Sequence, residues 1–174
     1  MNDLQSKLEQ IKSNESWLEK IKRYIPGYDG YVNRDNSREL DTLLRNKLAV
    51  IMEANKTSLK NAVSALSDSG SLMSVSGLDK IDKKNETVIA KLKSAARGYS
   101  GAFDVIKVKE DKLNQLYQFD GSLLENAEDV CKKFRELEDK AKEKVDVKEI
   151  VSEISGSLDV FLNKFNEREE ILKQ

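Results

Sequence analysis

Arg34, Arg38, Asp41 and Arg45 recur every three or four residues, so on a helix all four share one face. Guanidinium groups and a carboxylate in that pattern suit three kinds of chemistry. One is a stack of i,i+3 and i,i+4 ion pairs. A second is structural: Arg38 and Asp41 pin the turn just upstream by hydrogen bonding across the end of the molecule. The third is capture of an anion or another ligand by the arginines. That turn is Y-I-P-G-Y-D-G-Y, residues 24–31. It holds the only proline, Pro26, together with Gly27, Gly30 and three of the five tyrosines, Tyr24, Tyr28 and Tyr31. Its glycines are free to take positive φ. A second glycine-aromatic joint, R-G-Y-S-G-A-F-D-V-I-K-V, occupies residues 97–108.

Other chemistry has little to build on. The chain has no histidine, which removes the commonest general base and the favoured nitrogen ligand for zinc. No phosphate-cradling glycine loop occurs. Glu167, Glu169 and Glu170 are expected on a solvated helix face. Asp139, Glu143, Asp146 and Glu149 alternate with Lys140, Lys142, Lys144 and Lys148, a pattern of weak surface pairs. The single cysteine, Cys131, excludes an internal disulfide and lies beside Ala127, Val130 and Phe134, where a buried structural thiol is expected. No catalytic, cofactor-binding or metal-ligating residue is assigned, and no enzyme activity or cofactor is expected.

The elements that position these residues are helices. Leu4, Ile11, Leu18 and Ile25 fall at intervals of seven, with coiled-coil character, and Pro26 ends that run. Apolar stripes predict five helices, at about 2–24, 36–67, 78–97, 109–144 and 147–173. The second and fourth are long. A break at Asp120–Gly121 is suggested by the capping pattern of Ser122 with Glu125, yet the stripe keeps its phase across Gly121, so one helix is expected there. Asp146 with Glu149 opens the last helix, and Gly156 inside it is expected to mark the close approach of a neighbour. A single all-α domain over 1–174 follows, an antiparallel up-and-down bundle with coiled-coil-like packing. In such a bundle the first and third helices run parallel, which places both glycine-aromatic joints at one end.

Of the 174 residues, 39% are hydrophobic and 6% aromatic, with 30 basic against 31 acidic side chains. That composition suits long exposed helices. The balance offers no excess of positive charge for nucleic acid, and no basic run marks a membrane-binding segment. The opening M-N-D-L-Q-S-K-L lacks the pattern of a signal peptide, so a cytoplasmic protein is expected, with membrane association as the variant.

The block Y-I-P-G-Y-D-G-Y followed by R-E-L-D-T-L-L-R resembles the start of an uncharacterised prokaryotic family of helical proteins. R-G-Y-S-G-A-F-D-V-I-K-V and L-N-Q-L-Y-Q-F-D resemble its second and third blocks. The matching positions are Tyr24, Pro26, Gly27, Tyr28, Gly30, Tyr31, Arg38, Asp41 and Arg45; then Gly98, Tyr99, Gly101, Phe103 and Asp104; then Tyr117 and Asp120. The chain departs from the family pattern at Val32–Ser37, which implies a later start for the second helix and leaves Arg34 outside the pattern. The resemblance implies no activity. Relatives encoded near stomatin-type membrane scaffold proteins would imply a membrane-adjacent role.

Taken together, these residues predict a composite cap, with Tyr28, Tyr31, Arg38 and Asp41 packed against Tyr99, Phe103 and Asp104. The expected function is a non-enzymatic helical interaction or scaffold module that binds a protein partner or itself. The alternative is a peripheral membrane or envelope-stress adaptor working through the amphipathic first helix, anchored by Trp17 with Lys7, Lys12, Lys20, Lys22 and Arg23 on its polar face.

Overall fold

The computed structural model describes residues 9, 17–28, 30, 34–70, 75–94 and 110–173. Among these the secondary structure is helical throughout. Residues 17–24 form the described part of α1. They are followed by α2 (Arg34–Asp68), α3 (Val75–Ser94), α4 (Glu110–Lys142) and α5 (Lys148–Lys173). The apolar stripes become one core: Leu44, Leu48, Ile81, Leu123, Leu124, Phe134, Ile154 and Phe161 are all buried in it. Burying each such side chain is worth roughly 1.5–3 kcal/mol, and these helices depend on that packing for stability.

The ends of the helices have local causes. Ile25–Tyr28 is a turn closed by the Tyr28 N–H on the Ile25 carbonyl at 3.2 Å. Pro26 presets its second position, and Gly27 takes the third at φ 89°, as a type II turn requires. At the far end of α4, the Val145 N–H reaches the Lys140 carbonyl at 2.9 Å and the Lys144 N–H reaches Ala141 at 3.2 Å. That is a Schellman motif, with Lys144 rather than glycine in the left-handed position at φ 60°. Asp146 Oδ1 then caps α5 by accepting from the Lys148 N–H at 3.1 Å.

The four long helices alternate in direction along the chain, but their seams are not those of a simple meander. α2 packs against α3 and α4, and α5 packs against α3 and α4. Asn55 bonds Asn85, and Lys56 pairs with Glu86, while Glu53 meets Lys93; α2 and α3 are therefore antiparallel. Lys133 with Ser157 and Lys164 with Ser122 show α4 and α5 antiparallel too. Asn61 with Glu138, about five helical turns further along both helices than the Asp41–Asp120 level, makes α2 and α4 parallel neighbours. Lys84 with Asp159 and Lys91 with Asn166 make α3 and α5 parallel neighbours.

α1 departs from alternation. Its Trp17, Lys20 and Tyr24 meet Gly121, Glu125 and Glu128 in order, so it runs parallel to α4 and hence to α2. The first and third helices are thus opposed, and the inference that both joints share an end because those helices are parallel does not hold. α2 begins at Arg34, with no delayed start, because the polar run before Leu40 is accommodated as helix. α4 passes unbroken through Gly121.

Candidate functional site

The residues with chemistry converge on Arg168, whose side chain is fully buried. Its Nη1 donates to Asp41 Oδ1 at 2.7 Å, and its Nε donates to Asp120 Oδ1 at 2.5 Å. The other oxygen of each carboxylate is also engaged. Asp41 Oδ2 pairs with Arg45 Nη2 at 2.8 Å, one helical turn along α2. Asp120 Oδ2 accepts the Tyr28 hydroxyl at 2.8 Å. Two guanidinium groups balance two carboxylates, and all four carboxylate oxygens carry a donor.

Each group is delivered by a core stripe. Asp41 lies one turn before the buried Leu44 and Arg45, Asp120 is in phase with Leu116, Tyr117 and Ala127, and Arg168 continues Phe161 and Phe165. Charges this deep are tolerated because they are paired and hydrogen-bonded. The arrangement ties the Ile25–Tyr28 turn, α2, α4 and α5 to one point. It is a lock, closed to solvent.

Two glycines fit the strap that leads into it. Gly30 sits at φ 90° against Tyr117, and a Cβ there would lie 2.6 Å from the Tyr117 hydroxyl oxygen. Gly121 lies beneath the Trp17 indole, where the Lys20 ammonium covers the ring at 4.5 Å from its centroid. Tyr24 donates to Glu128 Oε2 at 3.1 Å, and burial, reinforced by that bond, pushes its hydroxyl pKa above the ordinary value.

Of the predicted cap, the structure therefore brings together Tyr28, Asp41, Arg45 and Asp120, with Tyr117 against Gly30. Tyr24 is half-buried on α4, Pro26 and Gly27 are exposed in the turn, and Arg38 is half-buried. Tyr31, Gly98, Tyr99, Gly101, Phe103 and Asp104 lie outside the described residues, as does the Arg34 side chain. Asp41 and Arg45 do form an i,i+4 ion pair, and it is buried in the core.

Other expectations are corrected. Glu169 is buried, whereas Glu167 and Glu170 are exposed. Cys131 is half-buried, because its phase on α4 is turned away from the centre that Val130 and Phe134 occupy. A Cβ at Gly156 would meet nothing within 4 Å, so no neighbour crowds it. A polar pair in the α2–α3 seam went unanticipated: Asn55 Nδ2 donates to Asn85 Oδ1 at 3.1 Å, and Asn85 Nδ2 donates to the Met52 carbonyl at 3.0 Å.

Outside the lock, the α3–α5 seam is loosely filled. A groove of about 600 Å³ has Ile81, Val147 and Val151 as its floor, with Gly77, Ser152 and Gly156 along its walls. It runs on into a second hollow of about 240 Å³ over Val88, Leu158 and Leu162. Lys80 and Asp159 line both. No group of metal-ligating side chains occurs among the described residues, and none of their helices is long and apolar enough to cross a membrane. Compared with family models, curated proteins and solved structures, the chain matches none.

Proposed function

We propose that this chain is a non-enzymatic helical interaction module that holds a protein partner on its outer surface. The observation that carries this reading is the α3–α5 groove, whose apolar floor lies open between two helices. Such a surface suits the packing of another chain's side chains. The chemically capable residues support the same reading from the other side, since the lock engages them with one another.

The test is capture of partner protein by the immobilised chain, beside light scattering over a range of concentrations. Capture or self-association that is lost when Gly156→Leu fills the groove supports the reading. A strict monomer that retains nothing overturns it.

A membrane-surface role through α1 has less to stand on. Trp17, the residue suited to anchor at an interface, is seated on α4 with Lys20 across its outer face, and Lys20 also pairs with Glu125 at 3.0 Å. Flotation with anionic vesicles, with and without residues 1–24, checks it.

A further inference from the structure

We infer that the α3–α5 groove receives an amphipathic helix whose edge facing α3 is acidic; this rests on the interaction-module reading and names the partner's chemistry. Three observations carry it.

The first is charge. Lys80, Lys83 and Lys84 project from α3 along the rim, and Lys148 closes the end on α5. Within the two hollows Asp159 is the one carboxylate, and it is held by Lys84 at 2.5 Å. Lys80, Lys83 and Lys148 are exposed, and their ammonium groups have no ion pair among the described residues. On a chain with a net charge of −1, this rim is a local excess of positive charge above an apolar floor. Carboxylates along one edge of a docked helix complement it.

The second is shape. From Gly77 to Val88 the groove follows α3 for about 17 Å, or three helical turns. That length and its open side suit one face of a helix, read as apolar anchors at i, i+3, i+4 and i+7.

The third is Gly156. A glycine inside an exposed helix is disfavoured relative to alanine. Here neither backbone conformation nor neighbouring atoms within the chain require it, since its φ is not positive and the space beside it is empty. It stands at the lip of the groove, one turn before the exposed Val160. A missing side chain at that point lets a second backbone approach α5 closely.

Fluorescence anisotropy of a labelled helical peptide of about 18 residues, with leucines at i, i+3, i+4 and i+7 and glutamates along one edge, tests this. A control peptide keeps the leucines and carries lysines on that edge. The expected result is saturable binding of the acidic peptide, at least about tenfold tighter than the lysine version. Lys80→Glu with Lys83→Glu should reverse the preference. Gly156→Leu should abolish binding while melting no lower than the parent, which separates loss of the site from loss of the fold. No binding of the acidic peptide overturns the inference. Equal binding of both peptides, lost in Gly156→Leu, overturns the acidic edge while leaving the interaction module standing. Lysine-dependent binding to phosphatidylglycerol vesicles with no peptide binding also overturns it, in favour of a lipid surface.

Discussion

Gly121 lies so close beneath the Trp17 ring that a Cβ would stand 2.6 Å from its Cζ3 atom. The glycine that looks like a turn in the sequence is therefore a seat for α1. Gly121→Ala should destabilise the protein by about 1–3 kcal/mol in urea unfolding, although alanine is the better helix former, because overpacking outweighs propensity. In a Trp17→Ala background the sign should reverse, to a gain of up to about 1 kcal/mol. Equal effects in both backgrounds would show that the indole does not occupy this seat.

Arg168→Met removes the charge that Asp41 and Asp120 share and should cost about 3–5 kcal/mol. Tyr28→Phe strands one oxygen of Asp120 and should cost less, about 1–2 kcal/mol. Arg168→Lys should not restore the parent midpoint, since an ammonium cannot reproduce the Nε and Nη1 bonds together. Chemical denaturation of the three variants gives the ranking.

Lys144 holds the left-handed position of the α4 cap without being glycine. Lys144→Gly relieves that conformation and should raise stability by roughly 0.5–1 kcal/mol, read as a higher thermal midpoint. Lys144→Val, branched at Cβ, should lower it.

Glu138 and Tyr24 predict opposite pH responses. The hydrogen bond from Lys142, then that from Asn61, holds the Glu138 carboxyl below its ordinary value of 4.5. Folded protein thus binds that proton less readily than unfolded protein. The stabilisation is present above pH 4.5 and is lost as pH falls through the lower folded value. Glu138→Gln should flatten the acid limb of the stability curve. Tyr24 has its pKa raised above 10.0, first by burial and then by its bond to Glu128. Its contribution is present below pH 10.0 and disappears as pH rises through the raised value. Tyr24→Phe should flatten the alkaline limb, and tyrosinate absorbance should lose a late-titrating component in the variant.

The helices were legible in the sequence because leucine and isoleucine periodicity reports burial directly. Even the unbroken α4 followed from the phase that Leu116, Leu123 and Leu124 keep across Gly121. Which helices become neighbours was not legible, since each stripe only says that it must be buried. The lock was half visible. Asp41 and Arg45 stood out by spacing, but Arg168 stands among Glu167, Glu169 and Glu170, which were expected on a solvated face. The signal was its phase: Arg168 falls where Phe161 and Phe165 require the next apolar residue, as Asp120 does between Leu116 and Ala127. Opposite charges standing in core phase on different helices point to one another. The groove left no such mark, because Gly77, Ser152 and Gly156 carry no periodic signal.

Asp41 and Arg168 are 127 residues apart, and Tyr28 and Asp120 are 92 apart. During synthesis both carboxylates leave the ribosome well before the guanidinium that joins them. A chain halted within α5 before Arg168 would bring Asp41 and Asp120 together with one bridging cation missing, two like charges at a dry junction. The junction therefore closes late, when the last helix delivers Arg168 to carboxylates made long before it.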